Sequence, residues 1–388
     1  MTGKEKIEAA LSAEGSSEIP VVICYEGIYA RDHWDHLTDC PWWYPFSPDL
    51  QHQLAWRRDV IARTPQGWLC LPTCLPRAER EALAVEERPE GIFLVNRRSG
   101  REDRLVRPLV GGWNPTGVSQ SIKPARLPET IRDVDASFPV AERFDAGRFV
   151  GAGRADLATA LLDEFGCALF PICHTASPLW NCYEHWGFEG MMRLIRERPD
   201  LVRRACERLL ANSIRRVREG AALGAMGVWV EECMTDMISP AAFADLDLTV
   251  MQRLIDEVRS LGMKSISYYC GDPNDRWELL FSLGADALAL EESKKGFTID
   301  IADVAQRAAG RCAVLGNLDA VGVLQNGSDE QTRAEIARQI AAGRRNRGRF
   351  IMSLGSPVTP NTPVERVRFY CELARALGRP VHMGNAGQ

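Results

Sequence analysis

Residues 226–270 read MGVWVEECMTDMISPAAFADLDLTVMQRLIDEVRSLGMKSISYYC. Two short apolar runs, 226–232 and 264–270, bracket a longer amphipathic stretch. Each run carries apolar side chains at odd and even positions alike, as a strand buried on both faces of a parallel sheet does. Between them Ser239-Pro240 offers a hydroxyl at a helix N-cap and a proline at the first helical position, and Gly262 follows the last apolar repeat. This is a strand–helix–strand unit.

The same alternation recurs on both sides. Strands are expected at 167–173 (CALFPIC), 286–291 (DALALE), 312–317 (CAVLGN) and 349–355 (RFIMSLG), with 19–25 (IPVVICY) as a seventh and 66–71 or 148–152 as the source of an eighth. Leu201, Ala205 and Leu209 form a helical stripe, and Thr362-Pro363-Val364-Glu365 reads as a capping box. The pattern predicts an α/β fold, a (β/α)8 TIM-type barrel in preference to an open doubly wound sheet. No glycine-rich phosphate loop follows a strand. The nearest stretch, Gly111-Gly112-Trp113-Asn114-Pro115, lacks a third glycine and a following helix. Residues 1–388 read as one domain, with an N-terminal aromatic extension over about 1–66 and a β insertion over about 85–125. In the insertion, 91–97 and 104–111 flank the turn Arg98-Ser99-Gly100 as a hairpin.

A net charge of −5 from 47 basic and 52 acidic residues gives no reason to expect nucleic acid as a partner. There is no run of about 18 apolar residues, so no membrane span is expected, and the charged start MTGKEKIEAAL lacks the apolar core of a signal peptide. A cytoplasmic protein is the expectation. Its 12 irregularly spaced cysteines then read as reduced thiols, most of them small buried hydrophobes.

In a parallel barrel, chemistry collects where strands end. These strands run into Glu231-Glu232-Cys233, Cys270-Gly271-Asp272, Glu291-Glu292-Ser293, Asn317-Leu318-Asp319 and Gly355-Ser356. Cys233 and Cys270 lie on consecutive strands, which are usually neighbours. Two thiolates and a carboxylate at one rim could hold Zn²⁺ with an open fourth position. Strand alternation puts Glu231 and Cys233 on one face and Glu232 on the other, although loop geometry at a strand end can break the rule. The alternative is two buried thiols beside salt-bridged carboxylates.

Tyr25, Tyr29, Trp34, Trp42, Trp43, Tyr44, Phe46, Trp56 and Trp68 are nine aromatics within 44 residues, against 8% overall. An aromatic-walled pocket for a flat, largely apolar ligand is one use of them; a plug at the barrel bottom or a dimer contact, which would make the protein a homodimer, is the other. His174, after CALFPIC, reads first as a structural histidine. The nine arginines within 193–218 read as a solvated helix face or as a docking surface for an acidic partner.

From about residue 150 to the end the chain resembles the uroporphyrinogen decarboxylase superfamily, and within it the branch of cobalamin-dependent methyltransferases. The resemblance rests on Gly284-Ala285-Asp286-Ala287, on Gly316-Asn317-Leu318-Asp319, and on 349–355 followed by Pro360-Asn361-Thr362-Pro363. It implies a TIM-type barrel. The decarboxylases carry an Arg-Gln-Ala-Gly-Arg segment after the first strand, where this chain reads Cys24-Tyr25-Glu26-Gly27-Ile28-Tyr29-Ala30-Arg31. One arginine is a poor cage for a porphyrinogen bearing many carboxylates. Coenzyme M methyltransferases bind zinc through a His-x-Cys and a later Cys; here those places read Tyr268-Tyr269-Cys270 and Gly355-Ser356.

The resemblance therefore implies a relative of the methyltransferases that demethylate methyl ethers and pass the methyl group to a corrinoid protein. The substrate would be a small methoxylated aromatic. No Asp-x-His-x-x-Gly corrinoid motif occurs, so the corrinoid is expected on a separate protein. In this reading Glu231, Cys233 and Cys270 hold the metal, and Glu232, Tyr269 and Asp319 are the catalytic groups. Tyr25, Tyr29, Arg31, His33, Tyr268, Glu292 and Asn317 line the substrate. A metal-free decarboxylase of a small carboxylated substrate and a non-catalytic ligand-binding barrel are the alternatives.

Overall fold

The structure is a computed structural model that describes residues 1–112, 126–139, 142–293 and 296–380. Seven parallel strands form one curled sheet in the order β1 (Trp68–Cys70), β5 (Phe170–Ala176), β6 (Gly227–Cys233), β7 (Lys264–Cys270), β8 (Ala287–Leu290), β9 (Ala313–Leu315) and β10 (Phe350–Ile351). Its two edges meet on the segment 20–22. Val21 bridges Met352 in parallel, Val22 N–H donates to the Met352 carbonyl (2.9 Å), and Gly67 N–H donates to the Val21 carbonyl (2.8 Å). An eighth strand position thus closes a TIM-type barrel and leaves no edge to pair elsewhere. Residues 20–22 belong to the barrel wall; the helix Gly3–Leu11 lies under its lower end, with Lys4 N–H on the Ala168 carbonyl.

The unit at 226–270 folds as its sequence dictates. β7 begins and ends where expected, and β6 starts one residue later than its apolar run. Ser239 caps the intervening helical segment, its hydroxyl accepting from Ala242 N–H, and Gly262 takes φ +74, a backbone conformation that a side chain would strain. Elsewhere the boundaries move. The CALFPIC strand is displaced to Phe170–Ala176, because Cys167 is exposed in the turn before it. Of the two candidates for the remaining strand, 68–70 supplies β1, whereas 148–152 belongs to the helix Ala146–Gly151 and the turn after it.

The capping box at 362–365 does not form. Pro363 itself is the N-cap of Val364–Leu377, and the Thr362 hydroxyl is spent on Thr359 (2.9 Å). The insertion is a three-stranded antiparallel sheet rather than a single hairpin: β2 (Leu83–Arg88), β3 (Gly91–Asn96) and β4 (Glu102–Arg104). The turn at 98–100 joins β3 to β4, but 105–111 is not strand. The end of the expected insertion, 113–125, and with it the Trp113–Pro115 part of the glycine-rich stretch, lies outside the described residues. Among the described residues no helix is long and apolar enough to cross a membrane.

Candidate functional site at the barrel mouth

Parallel register decides which side chains share the barrel interior. Glu231 is level with Tyr268 and Cys233 with Cys270, and one step lower Trp229 is level with Ile266 and His174. Trp229 is the hub of this layer. Its ring stacks on Tyr268 (centroids 4.9 Å apart) and on His174 (6.0 Å), and Tyr25 and Trp68 meet it edge-on at 5.9 and 5.8 Å. Such aromatic pairs favour one geometry over others, so the layer is a rigid floor beneath the strand ends.

Above the floor runs a row of hydrogen-bonded acids and thiols. The Tyr25 hydroxyl donates to Glu231 Oε1 (2.9 Å), and the Cys233 thiol donates to the same oxygen (3.6 Å). Cys233 lies level with Cys270, whose thiol donates to Glu291 Oε2 (3.4 Å). Tyr25 reaches Glu231 from the end of the closing strand because its backbone is left-handed (φ 56, ψ 46), strained for a side chain of this size. Tyr268 anchors its hydroxyl on the Gly355 carbonyl (2.9 Å), and Ser356 donates to Glu292 Oε2 (2.7 Å), joining the loops after β8 and β10.

Both donors to Glu231 use Oε1. Its Oε2 has no hydrogen-bond partner among the described residues and stays in contact with open space. Burial raises the Glu231 pKa above the ordinary carboxylate range, the Tyr25 and Cys233 hydrogen bonds pull it partly back, and nearby Glu184 raises it further. The Cys233 thiol is pushed well up, first by the neighbouring Cys270 thiol and then by burial.

Zinc ligands bonded at ~2.0–2.3 Å stand roughly 3.5 Å apart. The Glu231–Cys233 and Cys270–Glu291 separations match that edge. A metal also needs a shared centre, and among the described residues no three His, Cys, Asp or Glu side chains provide one. The donors run along the rim as a chain of pairs, so they do not present a formed metal centre.

Other expected site residues lie elsewhere. Glu232 and Tyr269 alternate to the helix side of the wall, as period two requires. Glu232, 2% exposed, is sealed against Asp247 and Ser177. Burial pushes Asp247 up to about 7, and burial with Asp247 nearby raises Glu232 well above its usual range. Asp319 is a helix cap, accepting from Val321 N–H and Gly322 N–H. Asn317 holds the loop after β8 through the Glu291 and Ile299 carbonyls. Arg31 is bonded to Asp32 (2.7 Å) and to the Gly112 carbonyl (2.8 Å). Buried His33 meets the Thr359 carbonyl (3.1 Å) and packs against Tyr29, which is wholly in the core. Of the aromatic segment, Tyr25 and Trp68 join the floor; Trp34 packs on Trp56, and Trp43, Tyr44 and His52 form a separate cluster.

Strand ends alone do not reveal three contributors. His174 keeps solvent contact although protein surrounds its ring, as a side chain lining an internal channel does; burial drives its pKa down to about 4, so it is neutral. Glu184 sits in the same way, exposed yet raised by burial. Trp229 could have been found by counting in twos along MGVWVEEC. The arginine-rich helix is internally paired: 193, 198, 203, 204, 208, 215 and 218 each bond an acid of this chain.

Residues 163–377, more than half of the chain, match the family described as uroporphyrinogen decarboxylase (URO-D). The uroporphyrinogen decarboxylase of Xanthomonas axonopodis pv. citri (strain 306) is 28% identical over 170 residues, 41% of this chain and 45% of that protein. The chloroplastic uroporphyrinogen decarboxylase of Nicotiana tabacum is 25% identical over 192 residues, 49% of this chain and 47% of that one. The chain thus spans about half the length of these curated relatives. A methyltransferase from Methanosarcina mazei has a similar structure, with a TM-score of 0.66 at 16% identity, covering 97% of this chain and 98% of that one. At that identity the likeness speaks for the fold alone.

Proposed function

The chain belongs to the uroporphyrinogen decarboxylase family, and from that premise we propose that it transfers a methyl group from a small methoxylated aromatic to a corrinoid carried by a separate protein. What carries the reading is Glu231: a carboxyl whose pKa burial raises, oriented through one oxygen by Tyr25 and Cys233, with its other oxygen open to the mouth above an aromatic floor.

An aryl methyl ether is a poor electrophile because its oxygen leaves badly as an anion. A positioned acid removes that obstacle and contributes ~10²–10⁴ in rate. The substrate ring sits at the mouth, above the layer that Tyr268 and Trp229 form. As the methyl carbon–oxygen bond breaks, its electron pair stays on the aryl oxygen, which takes the proton from Glu231 Oε2. Tyr25 and Cys233, still donating to Oε1, stabilise the carboxylate left behind. The corrinoid, when docked, supplies the electron pair that forms the new bond to the methyl carbon. Neutral His174 adds no competing charge beside the floor.

The relatives' names favour a second reading, decarboxylation, in which Glu231 would protonate the carbon that has lost CO₂. One experiment separates the two. The protein is incubated with cob(I)alamin and a methoxylated aromatic acid. Methyl transfer releases one phenol for each Co(I) consumed and no CO₂; CO₂ release with the ether intact would establish the second reading and overturn the first.

A further inference from the structure

The opposite flank of the mouth, beside β1, carries a cation. Arg57 sits within the helix Leu50–Arg63, its guanidinium carbon 4.1 Å from the centroid of the Trp56 ring. Nη1 is fixed by the Gln53 carbonyl (2.8 Å) and by Gln53 Oε1 (2.6 Å). Gln53 cannot turn away, because its amide nitrogen donates to the carbonyls of Tyr44, Pro45 and Ser47. The Nε and Nη2 donors have no partner among the described residues, and no carboxylate there lies within ion-pair distance. They still touch open space.

The groups nearest in charge are Glu26, Cys70 and Cys74. None offsets the guanidinium fully. Glu26 is engaged by Gln66 (2.6 Å) and by Cys70 N–H (3.3 Å), and burial pushes it up to about 7. Burial pulls Arg57 down to about 10, which leaves it cationic at neutral pH. A desolvated cation without a counter-ion is costly to keep. The edge left free, Nε with Nη2, is the pair of parallel donors that grips a carboxylate bidentately. Tyr25 and Glu26 link the two flanks: the left-handed turn at Tyr25 sends its ring to Glu231 and the next side chain to β1.

We propose that Arg57 binds the carboxylate of the substrate, which makes the substrate an aromatic acid held with its carboxylate on the β1 flank and its reacting group at Glu231. The assignment of the reacting group rests on the methyl-transfer reading; the carboxylate site does not.

The test is a binding titration of the intact protein without corrinoid, followed by tryptophan fluorescence or calorimetry, using 4-methoxybenzoate and the uncharged 4-methoxybenzamide. The acid is expected to bind at least about thirtyfold tighter, the usual worth of a buried charged hydrogen-bonded pair. Arg57→Ala should abolish the preference, and Arg57→Lys should restore only part of it, because a point charge replaces a fork. The acid–amide comparison in the unaltered protein needs no variant to fold. Equal affinity for the two ligands, or a preference that survives Arg57→Ala, would overturn the assignment. If the preference holds and no methyl group moves, methyl transfer falls and the carboxylate site stands. If methoxybenzene is demethylated as readily as methoxybenzoate, the carboxylate site falls and methyl transfer stands.

Discussion

The two flanks of the barrel mouth handle their polar groups in opposite ways. On the β6–β8 flank the rim hydroxyl and thiols are spent within the protein: Tyr25 and Cys233 serve Glu231, and Cys270 serves Glu291. On the β1 flank a guanidinium is pinned by one nitrogen and offers the other two to open space. Groups satisfied among themselves are positioned to keep or give a proton. A charge left without its counter-ion, at a cost to stability, is positioned to receive one from outside. On the proposed function, the mouth divides into a proton-donating side and an anion-accepting side, joined by the aromatic floor.

The largest effect expected is on that floor. Trp229→Ala should cost about 3–5 kcal/mol in urea unfolding, because the ring is fully buried and touches side chains from four other strand positions. It should also weaken ligand binding on both flanks; weakening on one alone would mean that the flanks do not share a floor. Glu231→Gln comes next. Turnover should fall at least about a hundredfold, with 4-methoxybenzoate affinity changed less than about threefold. Equal loss in both would place Glu231 in binding rather than in proton transfer.

Glu26→Gln probes the other flank and is smaller. The folded pKa of Glu26, about 7, exceeds the ordinary 4.5, so the native protein loses stability from this group as pH rises from 4.5 through 7. The variant should be more stable than the native protein by about 1–2 kcal/mol at pH 8 and no different at pH 4. A thermal unfolding series across that range checks the sign; a variant less stable at pH 8 would show that Glu26 is ionised beside Arg57 and already neutralises it. The smallest effect belongs to the arginine-rich helix. Arg203→Ala removes an exposed pair with Asp245 and should change stability by less than about 1 kcal/mol.

The barrel was readable because its signals are local. KSISYYC occupies β7 end to end, and Ser239 and Gly262 mark the helical segment before it. The neighbourhood of Cys233 and Cys270 followed from consecutive parallel strands, and the opposite facing of Glu231 and Glu232 from period two. What stayed hidden depends on tertiary closure. Tyr25 meets Glu231 across 206 positions, through a left-handed residue that no composition rule forecasts. Arg57 lies within a helix, away from any strand end, and only Gln53 one turn earlier hints that it is fixed in place. Asp319 and Asn317 stand at a strand end, as site residues do, yet both are consumed in holding backbone.

The most direct test uses one substrate labelled twice, a methoxybenzoate carrying ¹³C in the methoxy group and ¹⁴C in the carboxyl group, turned over with cob(I)alamin. The account predicts that the methoxy carbon leaves the ether and is recovered with the corrinoid, while the carboxyl carbon stays on the released phenolic acid. Recovery of the carboxyl carbon as CO₂, with the methoxy carbon still in the ether, would contradict it.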